Sequence, residues 1–182
     1  MKQRTIKSDI EIVGIGLHKG VPVRMRLEPL PSNSGIIIYR SDAAVTIPLK
    51  KEYVVDTKMA TVLGKDGVVV STIEHLLSAI YAYGIDNLRV VLDNDEIPIL
   101  DGSASGYCML IEEAGIQEQE EGKKAIKIKK EVVVTTEDGK RVSLKPSNRI
   151  VYDFEIKFNH PEIGQQKFHF DYSIEEYKES IA

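Results

Sequence analysis

Near residue 71 the apolar pattern of this chain changes period, and that change limits the folds open to it. Upstream, apolar residues recur at every second position. In VPVRMRL at 21–27, Val21, Val23, Met25 and Leu27 alternate with Pro22, Arg24 and Arg26, the mark of a half-buried strand. Ile36, Ile37 and Ile38 follow Gly35, and MATVL and VVV flank Gly64, Lys65, Asp66 and Gly67, which predicts a hairpin. Downstream, Ile73, Leu76, Leu77, Ile80 and Gly84 recur at helical spacing, and Ser71 and Glu74 have the spacing of a capping box, so a helix is expected to start near Thr72. LRVVL at 88–92 reads as a strand, Asp93 to Asp95 as a turn, and Ser103 to Ala114 as a second helix ending at Gly115. Strands with two helices make an α+β unit.

The polar run QEQEEGKK at 117–124 lacks hydrophobic periodicity and predicts a boundary: a first domain over 1–118, a linker over 119–124 and a second domain over 125–182. Beyond it, AIKIKK and EVVVTT read as strands, Asp138 and Gly139 suit a tight turn before RVSL, and VYDFEIKF alternates. Ser173 and Glu176 again have capping-box spacing, so a helix is expected at the end of the chain. Both halves run strands then helix, which fits an architectural duplication cut short.

Composition removes several classes of function. With 182 residues, 42% of them hydrophobic, the chain can bury a core. A formal charge of -4 carries no general basic footprint for nucleic acid. A single cysteine, Cys108, permits neither an internal disulfide nor a cysteine-based zinc site. No signal peptide or membrane span is evident. The expectation is a cytoplasmic protein without a transmembrane segment.

Of the four histidines, His75 stands in the strongest context, one turn into the predicted helix and directly after Glu74. A helix N-terminus carries partial positive charge, which suits the neutral imidazole that zinc binds and the ionised carboxylate beside it. A base next to a metal ligand is an arrangement for hydrolysis. Helix neighbours point about 100° apart, so the pair converges on one water only if a metal sits over the helix end. The competing reading makes Glu74 the capping-box glutamate and His75 a surface histidine. His18, in GIGLHKG between Gly16 and Gly20, is either a ligand-approach position or a surface loop. His169 falls opposite Phe168 and Phe170 on a strand, and His160 sits in a turn before Pro161. The lysines of KKAIKIKK fit a solvated strand face, Asp101 and Gly102 a turn into the second helix, and Cys108 a packed helix residue.

GIGLHKG, MATVL, STIEHLLSAIYAYGIDN, EIPILDGSAS and FNHPEIG, in this order and spacing, resemble the UDP-3-O-acyl-N-acetylglucosamine deacetylases, zinc enzymes of lipid A synthesis. The resemblance implies a two-layer α/β sandwich domain followed by an incomplete second domain of similar topology, with the family's active site between its two domains. It implies hydrolysis of the N-acetyl group of an acylated UDP-glucosamine, with release of acetate. It makes His75 a zinc ligand and Glu74 the catalytic base, places Leu17 and His18 in a loop bordering the site, and puts Met59 and Ala60 against the substrate. The family's second histidine and aspartate ligands belong to an HKxxD-type motif that does not occur in these 182 residues. The chain is therefore expected to be an N-terminal portion that binds zinc weakly, is inactive alone and can self-associate through its incomplete second domain. The alternative is a non-catalytic module that binds a nucleotide sugar or a protein.

Overall fold

The computed structural model describes Met1 to Ala182. These residues form two compact units, Met1–Lys123 with Ile181–Ala182, and Lys124–Ser180. The fold is α+β, with mixed sheets and three helices.

The first unit contains β1 (Lys2–Ile6), β2 (Ile10–Ile15), β3 (Pro22–Pro29), β4 (Ile36–Arg40), β5 (Val45–Pro48), β6 (Val54–Asp56), β7 (Val62–Lys65), β8 (Val68–Val70), α1 (Glu74–Ala82), β9 (Leu88–Leu92), α2 (Ser105–Ala114) and β10 (Ile116–Gly122). Five strands make its main sheet in the order β2-β3-β9-β4-β5, with β4 parallel to β9 and the other pairs antiparallel. Register places Ile10, Ile12, Val23, Met25, Leu27, Val90, Leu92, Ile38 and Ile47 on one face, and all are buried. The opposite face carries Arg26 and Arg89 around Glu28. The alternation in VPVRMRL thus divides core from solvent, as period two requires. Helix α1 buries Leu76, Ala79 and Ile80, and α2 buries Tyr107, Cys108 and Ile111. The two helices touch each other and α2 touches β2. The hairpin β7–β8 turns at Asp66 and Gly67, both at positive φ (52° and 79°), the geometry of a type I′ turn.

Three sequence expectations differ from the structure. Residues through Gly122 of the expected linker form β10, antiparallel to β1. Its polar side chains belong to an amide network: Asn87 Nδ2 donates to Gln119 Oε1 at 2.7 Å and to Gln3 Oε1 at 2.8 Å, and Gln119 Nε2 donates to the Leu30 carbonyl at 2.8 Å. Hydrogen bonds there replace the apolar stripe that periodicity detects. AIKIKK alternates in sequence but forms no strand, and Ile126 is 92% exposed; alternation without a neighbouring strand leaves backbone groups unpaired. Finally, α1 has no side-chain cap.

The second unit contains β11 (Val132–Thr135), β12 (Arg141–Leu144), β13 (Val151–Lys157), β14 (Gln165–Asp171) and α3 (Ile174–Ser180). Its strands form two separate hairpins. In β13–β14, Tyr152 faces Phe170 and Phe154 faces Phe168, with the Tyr152 and Phe154 rings stacked at 5.9 Å. The other face pairs Asp153 with His169 at 2.7 Å and Glu155 with Lys167 at 3.3 Å, so His169 lies opposite the phenylalanines. Here Ser173 does cap its helix, its Oγ accepting from the Glu176 N–H at 3.0 Å. No helix of the chain is long and apolar enough to cross a membrane.

Candidate functional site

Helix α1 begins from an unusual backbone. Thr72 adopts φ 58°, a left-handed conformation costly for a β-branched residue. Its hydroxyl donates to Glu96 Oε1 at 2.9 Å, which helps hold the turn in place. The first helical bond then runs from Leu77 N–H to the Ile73 carbonyl at 3.0 Å. Glu74 and His75 are therefore the first two residues of the helix.

Released from the capping role, Glu74 turns outward. Ser71 instead bridges to Glu96 through its backbone, and its hydroxyl donates to the Asp95 carbonyl at 3.3 Å. Glu74 Oε2 accepts from the Thr61 N–H at 3.2 Å, which ties the start of α1 to the segment carrying Met59 and Ala60. Met59 is 83% exposed while Ala60 is buried. Glu74, His75 and Ser78 line one open depression with Gly102, Ser103 and Ala104. Ser78 lies on the same helix face, about one turn on. Asp101 Oδ1 accepts from both the N–H and the hydroxyl of Ser103 at 3.0 Å. These bonds hold the Asp101 carboxyl below its ordinary range and order the turn that brings Ser103 to the depression.

The loop with Leu17 and His18 is fixed by a residue that sequence reading passed over. Glu96, only 2% exposed, accepts at Oε1 from the His18 N–H at 3.0 Å and at Oε2 from the Lys19 N–H at 3.3 Å. Burial pushes its carboxyl pKa up, but the His18, Thr72 and Lys19 donors bring the net shift below the usual value. Leu17 and His18 themselves are exposed and, like Met59 and Ala60, are not among the residues lining the depression. The signal for Glu96 was available only in three dimensions, although Gly16 carries its trace: a Cβ there would fall 2.3 Å from Glu96 Oε2. Ser78 has no distinctive neighbour in the sequence, and Ser103, legible there only as part of the turn into the second helix, is brought to the depression by its bonds to Asp101.

Elsewhere, Cys108 is packed at 2% exposure, and His160 closes its turn by accepting from the N–H groups of Ile163 and Gly164. No three His, Cys, Asp or Glu side chains converge into a metal-binding group. Catalytic zinc takes three protein ligands and a water, so one half-buried imidazole beside one exposed carboxylate does not make a complete zinc site.

A family model described as LpxC, UDP-3-O-acyl N-acetylglycosamine deacetylase, matches residues 3–182. The chain belongs to the LpxC family. Over its full 182 residues it is 80% identical to a UDP-3-O-acyl-N-acetylglucosamine deacetylase of Aliarcobacter butzleri, covering 60% of that protein. It is 63% identical to the protein of that name from Nautilia profundicola, covering 62%, and 57% identical to one from Helicobacter pylori, covering 61%. The chain thus spans about three fifths of the length of these curated relatives. LpxC membership agrees with the resemblance carried by GIGLHKG, MATVL, STIEHLLSAIYAYGIDN, EIPILDGSAS and FNHPEIG.

Proposed function

We propose that this chain contributes the Glu74–His75 helix to a centre that hydrolyses the N-acetyl group of an acylated UDP-N-acetylglucosamine and releases acetate, a step of lipid A synthesis. The observation that carries the reading is that Glu74 and His75 together line one depression, in a chain of the LpxC family. Bound zinc would supply an acidified water and polarise the amide carbonyl. His75 would offer one neutral imidazole to that ion, with the other ligands coming from outside these residues. Glu74, at the same helix end, would take the proton of the attacking water. Leu17, His18, Met59 and Ala60 would border the acylated substrate.

The 182-residue chain alone is expected to hold zinc weakly and to release no acetate from the acylated nucleotide sugar. Metal analysis after dialysis, with an acetate-release assay, checks both. Stoichiometric zinc with sustained turnover would show that the chain carries a complete centre.

Self-association is proposed for the second unit. Val132, Val134, Val142 and Leu144 share one face of β11–β12 by register, each between 47% and 70% exposed, and Phe154 and Phe168 are 52% and 44% exposed on β13–β14. Isolated two-stranded hairpins are marginal in water and gain stability when an apolar face is covered. Light scattering is expected to give a mass that rises with concentration, and Phe154→Lys to reduce that rise. A constant monomer mass across the range would count against it.

A further inference from the structure

We infer that Glu96 is a positioning residue of the candidate site: one buried carboxylate fastens the Gly16–Gly20 loop to the turn that launches α1, so the Leu17–His18 segment and the Glu74–His75 helix end are held by a common anchor. This rests on the reading of those segments as parts of one reaction centre.

Three donors from two chain segments converge on the carboxylate. His18 N–H and Lys19 N–H come from the loop, and the Thr72 hydroxyl comes from the turn two residues before Glu74. The side chain is 2% exposed, so water does not readily replace a lost donor, and an ionised carboxylate in such a place is retained only where donors surround it. Both ends of the contact are shaped around it. Gly16 lets the loop backbone pass where a Cβ would meet Oε2 at 2.3 Å, and Thr72 holds a left-handed conformation that aims its hydroxyl at Oε1. The Ile97 N–H donates to the Ser71 carbonyl at 3.1 Å, and the Ser71 N–H donates to the Asp95 carbonyl at 2.9 Å. The strip bearing Glu96 is thereby fixed beside the start of α1 before its side chain reaches the loop. Lys19 Nζ pairs with Asp95, but with 56% of the lysine side chain exposed the pair is solvent-screened and adds little.

The arrangement makes a local demand. Removing the carboxylate frees two loop amides and the Thr72 hydroxyl, while the main sheet keeps its own ladder. Glu96→Gln retains one carbonyl oxygen but turns an amide NH2 toward a donor, and Glu96→Ala removes every acceptor. Gly16→Ala challenges the same contact from the loop side, leaving Glu96 chemically intact.

The test is amide hydrogen exchange by NMR on the 182-residue chain, read at single residues, with the His75 ring resonances recorded in the same samples. Glu96→Ala is expected to speed exchange at His18 and Lys19 by about tenfold or more, the loss of a hydrogen bond to a charged acceptor. It should also shift the His75 ring signals while Val90, Leu92 and Ile80 keep their protection. Glu96→Gln should give a smaller change at His18 than Glu96→Ala, and Gly16→Ala should reproduce the loop effect. Unchanged exchange at His18 and Lys19 would overturn the inference. So would an equal loss of protection at Val90, Leu92 and Ile80, which would make Glu96 a residue of general stability, and so would His75 signals that do not move. None of these readouts uses turnover, so failure of the proposed reaction is seen separately.

Discussion

Leu27→Ala will lower the unfolding free energy by about 2–5 kcal/mol, the range for deleting a fully buried leucine side chain. Leu27 is 0% exposed on β3, with Ile10 of β2 opposite on one side and Val90 of β9 on the other. Strands on both sides fix the backbone, so collapse onto the vacated space is restricted and the cavity contribution remains. Arg26→Ala, one residue away, points to the other face, where Arg26 meets Glu28 at 2.5 Å with 45% of its side chain exposed. That change is expected to cost about 0.5 kcal/mol or less. Urea unfolding monitored by circular dichroism checks both variants, with the midpoint moving for Leu27→Ala at an unchanged slope. Comparable shifts for the two would mean that the sheet does not divide core from solvent as its register indicates.

The second large effect concerns chemistry and is tested in a longer chain. Joining these residues to the remaining two fifths of the Aliarcobacter butzleri relative, with which they share 80% identity, is expected to give a chain that binds zinc and releases acetate. Within it, His75→Ala and Glu74→Gln should fail differently. Loss of the imidazole removes a metal ligand, so zinc content and turnover fall together. Loss of the carboxylate leaves the imidazole in place, so zinc stays while turnover drops by about 10²–10⁴-fold, the typical contribution of a positioned general base. The Thr61 N–H that now donates to Glu74 can still donate to the carbonyl oxygen of glutamine. Folding is therefore not expected to explain the loss.

What could be read from the sequence followed the kind of interaction involved. Strand β3, the β7–β8 hairpin and α2 with its end at Gly115 are set by local pattern: alternation, an Asp-Gly turn, and a glycine at φ 74° that ends the helix. The start of α1 was legible to within two residues, yet for the wrong reason. Ser71 and Glu74 have capping-box spacing, but Thr72 enters the left-handed region and sends both side chains elsewhere. In that conformation the Thr72 hydroxyl donates to Glu96, which lies 24 residues away. The 119–122 part of strand β10 reads as linker because the stabilising contacts of Gln119 are amide hydrogen bonds to Asn87 and Leu30, partners that no single-segment pattern can supply. AIKIKK shows the converse, a correct alternation with no adjacent strand. Within the candidate site, His75 and Glu74 were visible as chemistry-bearing types at a helix start. Glu96 was not, because a buried carboxylate is defined by its donors.

The proposed reaction would make Glu74 the base at a metal that His75 helps to hold. The most direct measurement is acetate release by the longer chain with and without Glu74→Gln, with zinc content determined in the same samples. Equal zinc and a fall in turnover of about 10²–10⁴-fold are expected. Equal zinc with undiminished turnover would contradict that role and move the base to another residue.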